Sequence, residues 1–243
     1  MVRWIGETQA VETIGIHTMQ RHFDQDLAGL KEKLLTMASH AETSLIQAVK
    51  ALVDRDDVLA RQVKERDEVL DRFEIEMDEL SINLLALKAP LASDLRLITV
   101  AMKISQNLER VGDEATTIAR RALELNHEAQ LKPFVDIPRM ATLAAEMLRD
   151  SLDAFVNGKT DQARGIIQRD KEIDNLNKQV HRELIGYMLE DPQTITRCLN
   201  LMVISKCLER IADHATNVAE EVVYLFEGRD IRHAAKATET PAA

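Results

Sequence analysis

The chain has few aromatic residues, few glycines and prolines, and two cysteines. Aromatics make up 3% of its 243 residues, with 8 Gly and 5 Pro. That scarcity argues against sandwiches and barrels, which need frequent turn residues and strand formers. Cys198 and Cys207 lie nine residues apart on one predicted helix, out of easy reach of each other, so they read as cytosolic thiols. No run of about 18 apolar residues occurs, so no bilayer span is predicted. The N-terminus carries Arg3 but no apolar stretch of the secretory kind, and no leader is expected. No phosphate-cradling glycine loop is present, so ATP binding is not expected. Positive charge is not in excess either: 31 basic residues against 41 acidic give −10. Such a surface repels nucleic acid and anionic lipid and leaves carboxylates free for cations.

What the chain does have is helix-forming material: 45% hydrophobic residues, rich in Ala, Leu and charged side chains. Apolar residues recur at helical spacing from Asp24 to about Leu52. Five further helices are predicted over 57–87, 94–125, 139–155, 160–189 and 192–226. Asp54 or Asp56 is placed to cap the second helix and Ser93 the third. Asn157-Gly158 stops the fourth, Gly228 ends the sixth, and Asp191-Pro192 makes the turn before the sixth. Residues 1–20 read as a loose, flexible arm and 234–243 as a disordered tail. The segment from Lys132-Pro133 to Pro138 separates units over 21–130 and 136–230. The expectation is an all-α protein: two tandem repeated three-helix bundles, six long helices in all.

The duplication is visible in the residues. Leu108-Glu109-Arg110-Val111-Gly112-Asp113 returns as Leu208-Glu209-Arg210-Ile211-Ala212-Asp213, and seven of thirteen positions match between 107–119 and 207–219. Arg66-Asp67 with Asp71 returns as Arg169-Asp170 with Asp174, shifted by 103 rather than 100 residues. The slip belongs in the intervening turn, where length changes cost little.

Each acidic pair is spaced four apart and shares one helix face. Asp71 and Glu109 each lie 19 residues from Pro90, and Asp67 and Asp113 each lie 23. In a hairpin turning there, both pairs sit roughly 30 Å from the turn. Asp170 and Asp174 lie 22 and 18 before Pro192, with Glu209 and Asp213 17 and 21 after it. Gly112 and Ala212 leave room for a close backbone or ion.

Four carboxylates at one level repel unless a cation or proton intervenes. Arg110 and Arg210 offer salt bridges as the structural alternative. A metal ion is the stronger compensation, and carboxylate-only ligation suits Mg, Mn or Fe, with Zn also admitted, in one or several ions per site. The candidate ligands are Asp67, Asp71, Glu109, Asp113, Asp170, Asp174, Glu209 and Asp213.

Other residues carry weaker signals. His214 reads as a helix-surface histidine before it reads as an added ligand. Glu124 and His127 have the spacing of di-iron carboxylate proteins, but those need two such motifs facing each other. Asp94 and Arg96 read as pinning the start of the third helix.

Together, Ala92-Ser93-Asp94-Leu95-Arg96, the two Leu-Glu-Arg motifs, Tyr187-Met188-Leu189-Glu190-Asp191 and Gly228-Arg229-Asp230-Ile231-Arg232-His233 resemble the PhoU family over residues 23–233. The resemblance implies two repeated three-helix bundles, often paired as a homodimer, with multinuclear metal clusters on the eight acids named above. It implies a negative regulator of the phosphate-starvation response and of phosphate uptake. Such a protein is a cytoplasmic adaptor, not an enzyme, between the phosphate transporter's ATPase subunit and a membrane sensor histidine kinase. Membrane contact is then peripheral, through protein partners. Residues 1–20 have no match in the resemblance. Two other readings stay open, a carboxylate-bridged metalloenzyme and a purely structural helical scaffold.

Overall fold

The computed structural model describes residues 6–88 and 90–232, and side chains over 23–87 and 90–232. Among these are α1 (Gly6–Val53), α2 (Asp57–Glu65), α3 (Asp67–Lys88), α4 (Ala92–Asn126), α5 (Asp136–Asn157), α6 (Thr160–Glu190), a 3-10 turn (Pro192–Thr194) and α7 (Ile195–Glu227). Helices α2 and α3 form one interrupted arm, so the architecture is six arms in two tandem bundles. The first bundle packs α1, α2/α3 and α4; the second packs α5, α6 and α7. Contacts of α4 with α7, and of α1 with α5, join them.

Several helix ends differ from the sequence reading. Helix α1 begins at Gly6, where a loose arm over 1–20 was expected. No proline interrupts 6–53, and each residue added to an existing helix avoids the nucleation cost. Residues 1–5 and the tail at 234–243 lie outside the described residues. The predicted helix over 57–87 is divided at Arg66, whose N–H bonds back to the carbonyls of Gln62 and Val63, both at 3.2 Å. Its guanidinium donates to Gln47 Oε1 on α1 at 2.5 Å, and α3 restarts with Asp67-Glu68, acids that favour a helix N-terminus. The matching stretch of α6 is continuous, and there Arg169 pairs instead with Asp150 and Glu146 of α5.

Asp56 is the cap of α2: its Oδ1 accepts from the N–H groups of Val58 (2.9 Å) and Leu59 (3.0 Å). Ser93 does not cap α4, because that helix starts one residue earlier, after an extended Leu91. Helix α5 starts at Asp136, which puts Pro138 in its first turn, where a missing N–H costs nothing. Gly158 and Gly228 are left-handed at φ 67° and 65° and close α5 and α7. Arg55 has φ 56° and, at an offset of 103 (55 + 103 = 158), occupies the place of Gly158. Its Nη2 donates to the carbonyls of Asn126 (2.5 Å) and Glu128 (2.6 Å), groups that the end of α4 leaves open.

One continuous core runs through both bundles, including Leu30, Leu34 and Met37 of α1, Ile98, Ile104 and Leu108 of α4, and Ile204, Leu208 and Val218 of α7. Each such side chain contributes about 1.5–3 kcal/mol by leaving water. A Cβ at Gly112 in α4 would lie too close to Cδ1 of buried Leu70, so any larger residue there makes Leu70 shift. Helices α4 and α7 run antiparallel: Asn107 meets His214, Glu114 meets Arg210, and Lys103 reaches Glu221 at 3.0 Å. Arg96 does not serve only its own helix start, since its guanidinium lies against Gly228 at the far end of α7.

Candidate functional site

In the first bundle, α3 supplies Asp67 and Asp71, and α4 supplies Glu109 and Asp113. Burial pushes the Glu109 carboxyl up to about 7; Asp113, Glu74 and Asp71 add to this and Arg110 opposes it. Arg110 Nε lies 3.4 Å from Glu109 Oε2. Burial also raises Asp113, with Arg110 opposing and Asp71 and Glu114 adding. Asp67 is raised by burial against a hydrogen bond with Thr116, and further by Asp113 and Asp71. The four acids therefore share one electrostatic environment across the α3–α4 contact.

In the second bundle, burial pushes Asp170 up to about 6, helped by Asp174 and Glu209. Asp213 also rises to about 6, from burial and then Glu209 and Asp170, with Lys206 opposing and Asp174 adding. Lys206 Nζ sits 2.5 Å from Glu209 Oε2, and Lys178 Nζ sits 3.9 Å from Asp174 Oδ2. Asp170 Oδ1 is buried without a hydrogen-bond partner. Among the described residues, no three Asp, Glu, His or Cys groups surround one point closely enough to hold an ion as they stand. Carboxylate oxygens are hard donors, the kind that suits a hard cation, and the partnerless Asp170 Oδ1 is one of them.

The two arginines behave differently. Arg110 pairs with its neighbour Glu109, but Arg210 turns to Glu114 of α4 at 3.2 Å and does not offset Glu209 or Asp213. His214 is half-buried between α4 and α7, with Nδ1 3.0 Å from Asn107 Oδ1, rather than on an open surface. Glu124 pairs with Arg121, and His127 lies 3.5 Å from Asp57 Oδ2, so they do not act as a pair. Both cysteines are free and buried.

Sequence reasoning missed Glu74. It sits three residues after Asp71 on the same face and is itself raised by burial and by Asp78. No repeat marks it, because its equivalent 103 residues on is Asn177, which accepts from Ser205 Oγ at 2.7 Å. No described helix is long and apolar enough to cross a membrane.

The chain matches the family profile of the PhoU domain twice, over residues 34–122 and 137–222. It is 40% identical over 218 residues to a phosphate-specific transport system accessory protein PhoU homolog of Pseudomonas aeruginosa, spanning 89% of this chain and 90% of that protein. It is 40% identical over 209 residues to the homolog of Aquifex aeolicus, spanning 86% and 95%. A crystal structure of PhoU from Pseudomonas aeruginosa superposes with TM-score 0.83 at 40% identity, over 85% of this chain and 100% of that one. The phosphate transport system regulatory protein PhoU of Streptococcus pneumoniae gives 0.80 at 29% identity, over 86% and 99%.

Proposed function

The chain belongs to the PhoU family, and from that premise we propose that it is a negative regulator of the phosphate-starvation response and of phosphate uptake. In this reading it is an adaptor, not an enzyme, between the transporter's ATPase subunit and a sensor histidine kinase. The observation that carries the reading is the similarity, across both repeats, to proteins named as accessory and regulatory components of phosphate transport. The test is deletion of the gene with a phosphate-starvation reporter in phosphate-rich medium. Derepression is expected, and an unchanged reporter would overturn the reading. Affinity capture from phosphate-replete cells should retain the transporter ATPase subunit and the sensor kinase.

A second reading concerns the carboxylates. We propose that Asp67, Asp71, Glu109 and Asp113 hold metal ions in one bundle, and Asp170, Asp174, Glu209 and Asp213 in the other. Glu74 is well placed to join the first set. The motivating observation is that Glu109, Asp170 and Asp213 hold their protons unusually tightly through burial and the repulsion of neighbouring carboxylates, which a hard cation relieves. A bound ion supplies positive charge that ties α3 to α4 and α6 to α7. Elemental analysis of protein purified without chelator should find Fe, Mn, Mg or Zn. Metal-free protein from such a preparation would favour the scaffold reading.

A further inference from the structure

A cavity of about 540 Å³ opens between α4 and α7, beside the first carboxylate set. Its lining brings Arg120, Lys206 and Arg210 together with Thr117, and it includes the carboxylates Asp67, Asp113 and Glu114. Arg210 is paired with Glu114 and Lys206 with Glu209. Arg120 Nη2 makes one long bond, 3.4 Å, to Thr117 Oγ1.

The duplication supplies an internal comparison. Adding 100 to Glu114, Thr117 and Arg120 gives His214, Asn217 and Glu220. Subtracting 100 from Lys206, Cys207 and Arg210 gives Gln106, Asn107 and Arg110. At that second place side chains cross the seam: His214 Nδ1 lies 3.0 Å from Asn107 Oδ1, and Asn217 Nδ2 donates to the same oxygen at 3.2 Å. On the first side, the shorter Cys207 and Thr117 stand where those asparagines would be. Arg120 and Lys206 have no basic equivalent in the other half, so these two cations are particular to this side of the seam. A large opening and its cations occur together on one side of the seam.

We propose that this cavity binds a small phosphoryl anion, free phosphate or the phosphate of a metabolite, through Arg120, Lys206, Arg210 and the Thr117 hydroxyl. Forked guanidinium donors and an ammonium suit a tetrahedral oxyanion, and charge-assisted bonds of this kind are the strong ones. Asp67, Asp113 and Glu114 in the same lining disfavour a bare anion and welcome one that arrives with a divalent cation. The volume exceeds what phosphate alone fills and admits a phosphorylated metabolite. The choice of phosphate as the anion rests on the regulatory reading above; the cavity and its charges do not.

The test is isothermal titration of the full chain with inorganic phosphate and, separately, with AMP, each with and without magnesium. Binding of either is expected, and the tighter of the two identifies the source. Arg120→Gln and Lys206→Gln should each weaken it by about tenfold. Thr117→Asn, which installs the side chain found across the opposite seam, should also weaken it, while Gln106→Ala on that seam should not. No heat from natively folded protein under any of these conditions would overturn the proposal, as would equal affinity in all variants. If gene deletion derepresses the reporter but neither ligand binds, the cavity assignment fails and the regulatory reading stands. Binding together with an unchanged reporter fails the regulatory reading alone.

Discussion

Glu109, Asp170 and Asp213 keep their protons where ordinary carboxyls have lost them. Their folded values, about 7, about 6 and about 6, lie above those of an unfolded chain. The native state therefore binds more protons than the unfolded state between the ordinary carboxylate range and those values. Their contribution to stability is complete below the unfolded pKa and is lost as pH rises through about 6 and then about 7. In chelator, the melting temperature of the native sequence should fall more steeply between about pH 4 and about pH 6 than that of Asp170→Asn/Asp213→Asn, with parallel behaviour above that range. Thermal unfolding by circular dichroism reads this, and parallel slopes within the range would contradict it. Burial and Glu114 push the Cys207 thiol well up, so in native protein it should resist alkylation by iodoacetamide at mildly basic pH. Mass spectrometry of the labelled chain checks this. At this scale the eight acids were legible because duplication repeated them. Glu74 was not, because its opposite number had become an amide, and Arg210's turn toward Glu114 depends on the packing of α4 on α7.

Among the helices, Asp56 caps α2 with two hydrogen bonds, and Asp56→Ala should cost about 1 kcal/mol. Ser93→Ala makes the contrast, since Ser93 lies inside α4 and caps nothing. Gly112→Val should cost about 1–3 kcal/mol by forcing Leu70 out of its place between α3 and α4. Urea titration measures both, with an unshifted midpoint for Gly112→Val as the contrary result. Helix positions were readable because apolar spacing, Gly158, Gly228 and Pro192 are local signals. The break at Arg66 was not, because no proline or glycine marks it. It depends on Gln47 of another helix and on an acidic restart at Asp67. The start of α5 at Asp136 is not readable from sequence, because Pro138, tolerated in its first turn, resembles a boundary.

For the molecule as a whole, the core passes from one bundle to the other without a gap, and Lys103, Glu221 and Arg232 tie α4 to the end of α7. The halves should unfold in one cooperative transition, with near- and far-ultraviolet signals coincident. Two separated transitions would mean that the seam contributes little. Two bundles could be read from the repeat; their antiparallel arrangement could not, because it is fixed by contacts such as Asn107 with His214 that lie about a hundred residues apart in the chain.

That arrangement sends the turn at Pro90 and the turn at Pro192 to opposite poles. Helix α4 has 35 residues and is about 50 Å long. Leucines 91 and 189, 76% and 81% exposed, stand at these two extremities. Molecules gripping the two poles would be out of touch with each other. News of one could reach the other only as a push or twist transmitted along the paired rods, and whatever wedges between those rods at mid-length would stiffen the strut toward both ends at once.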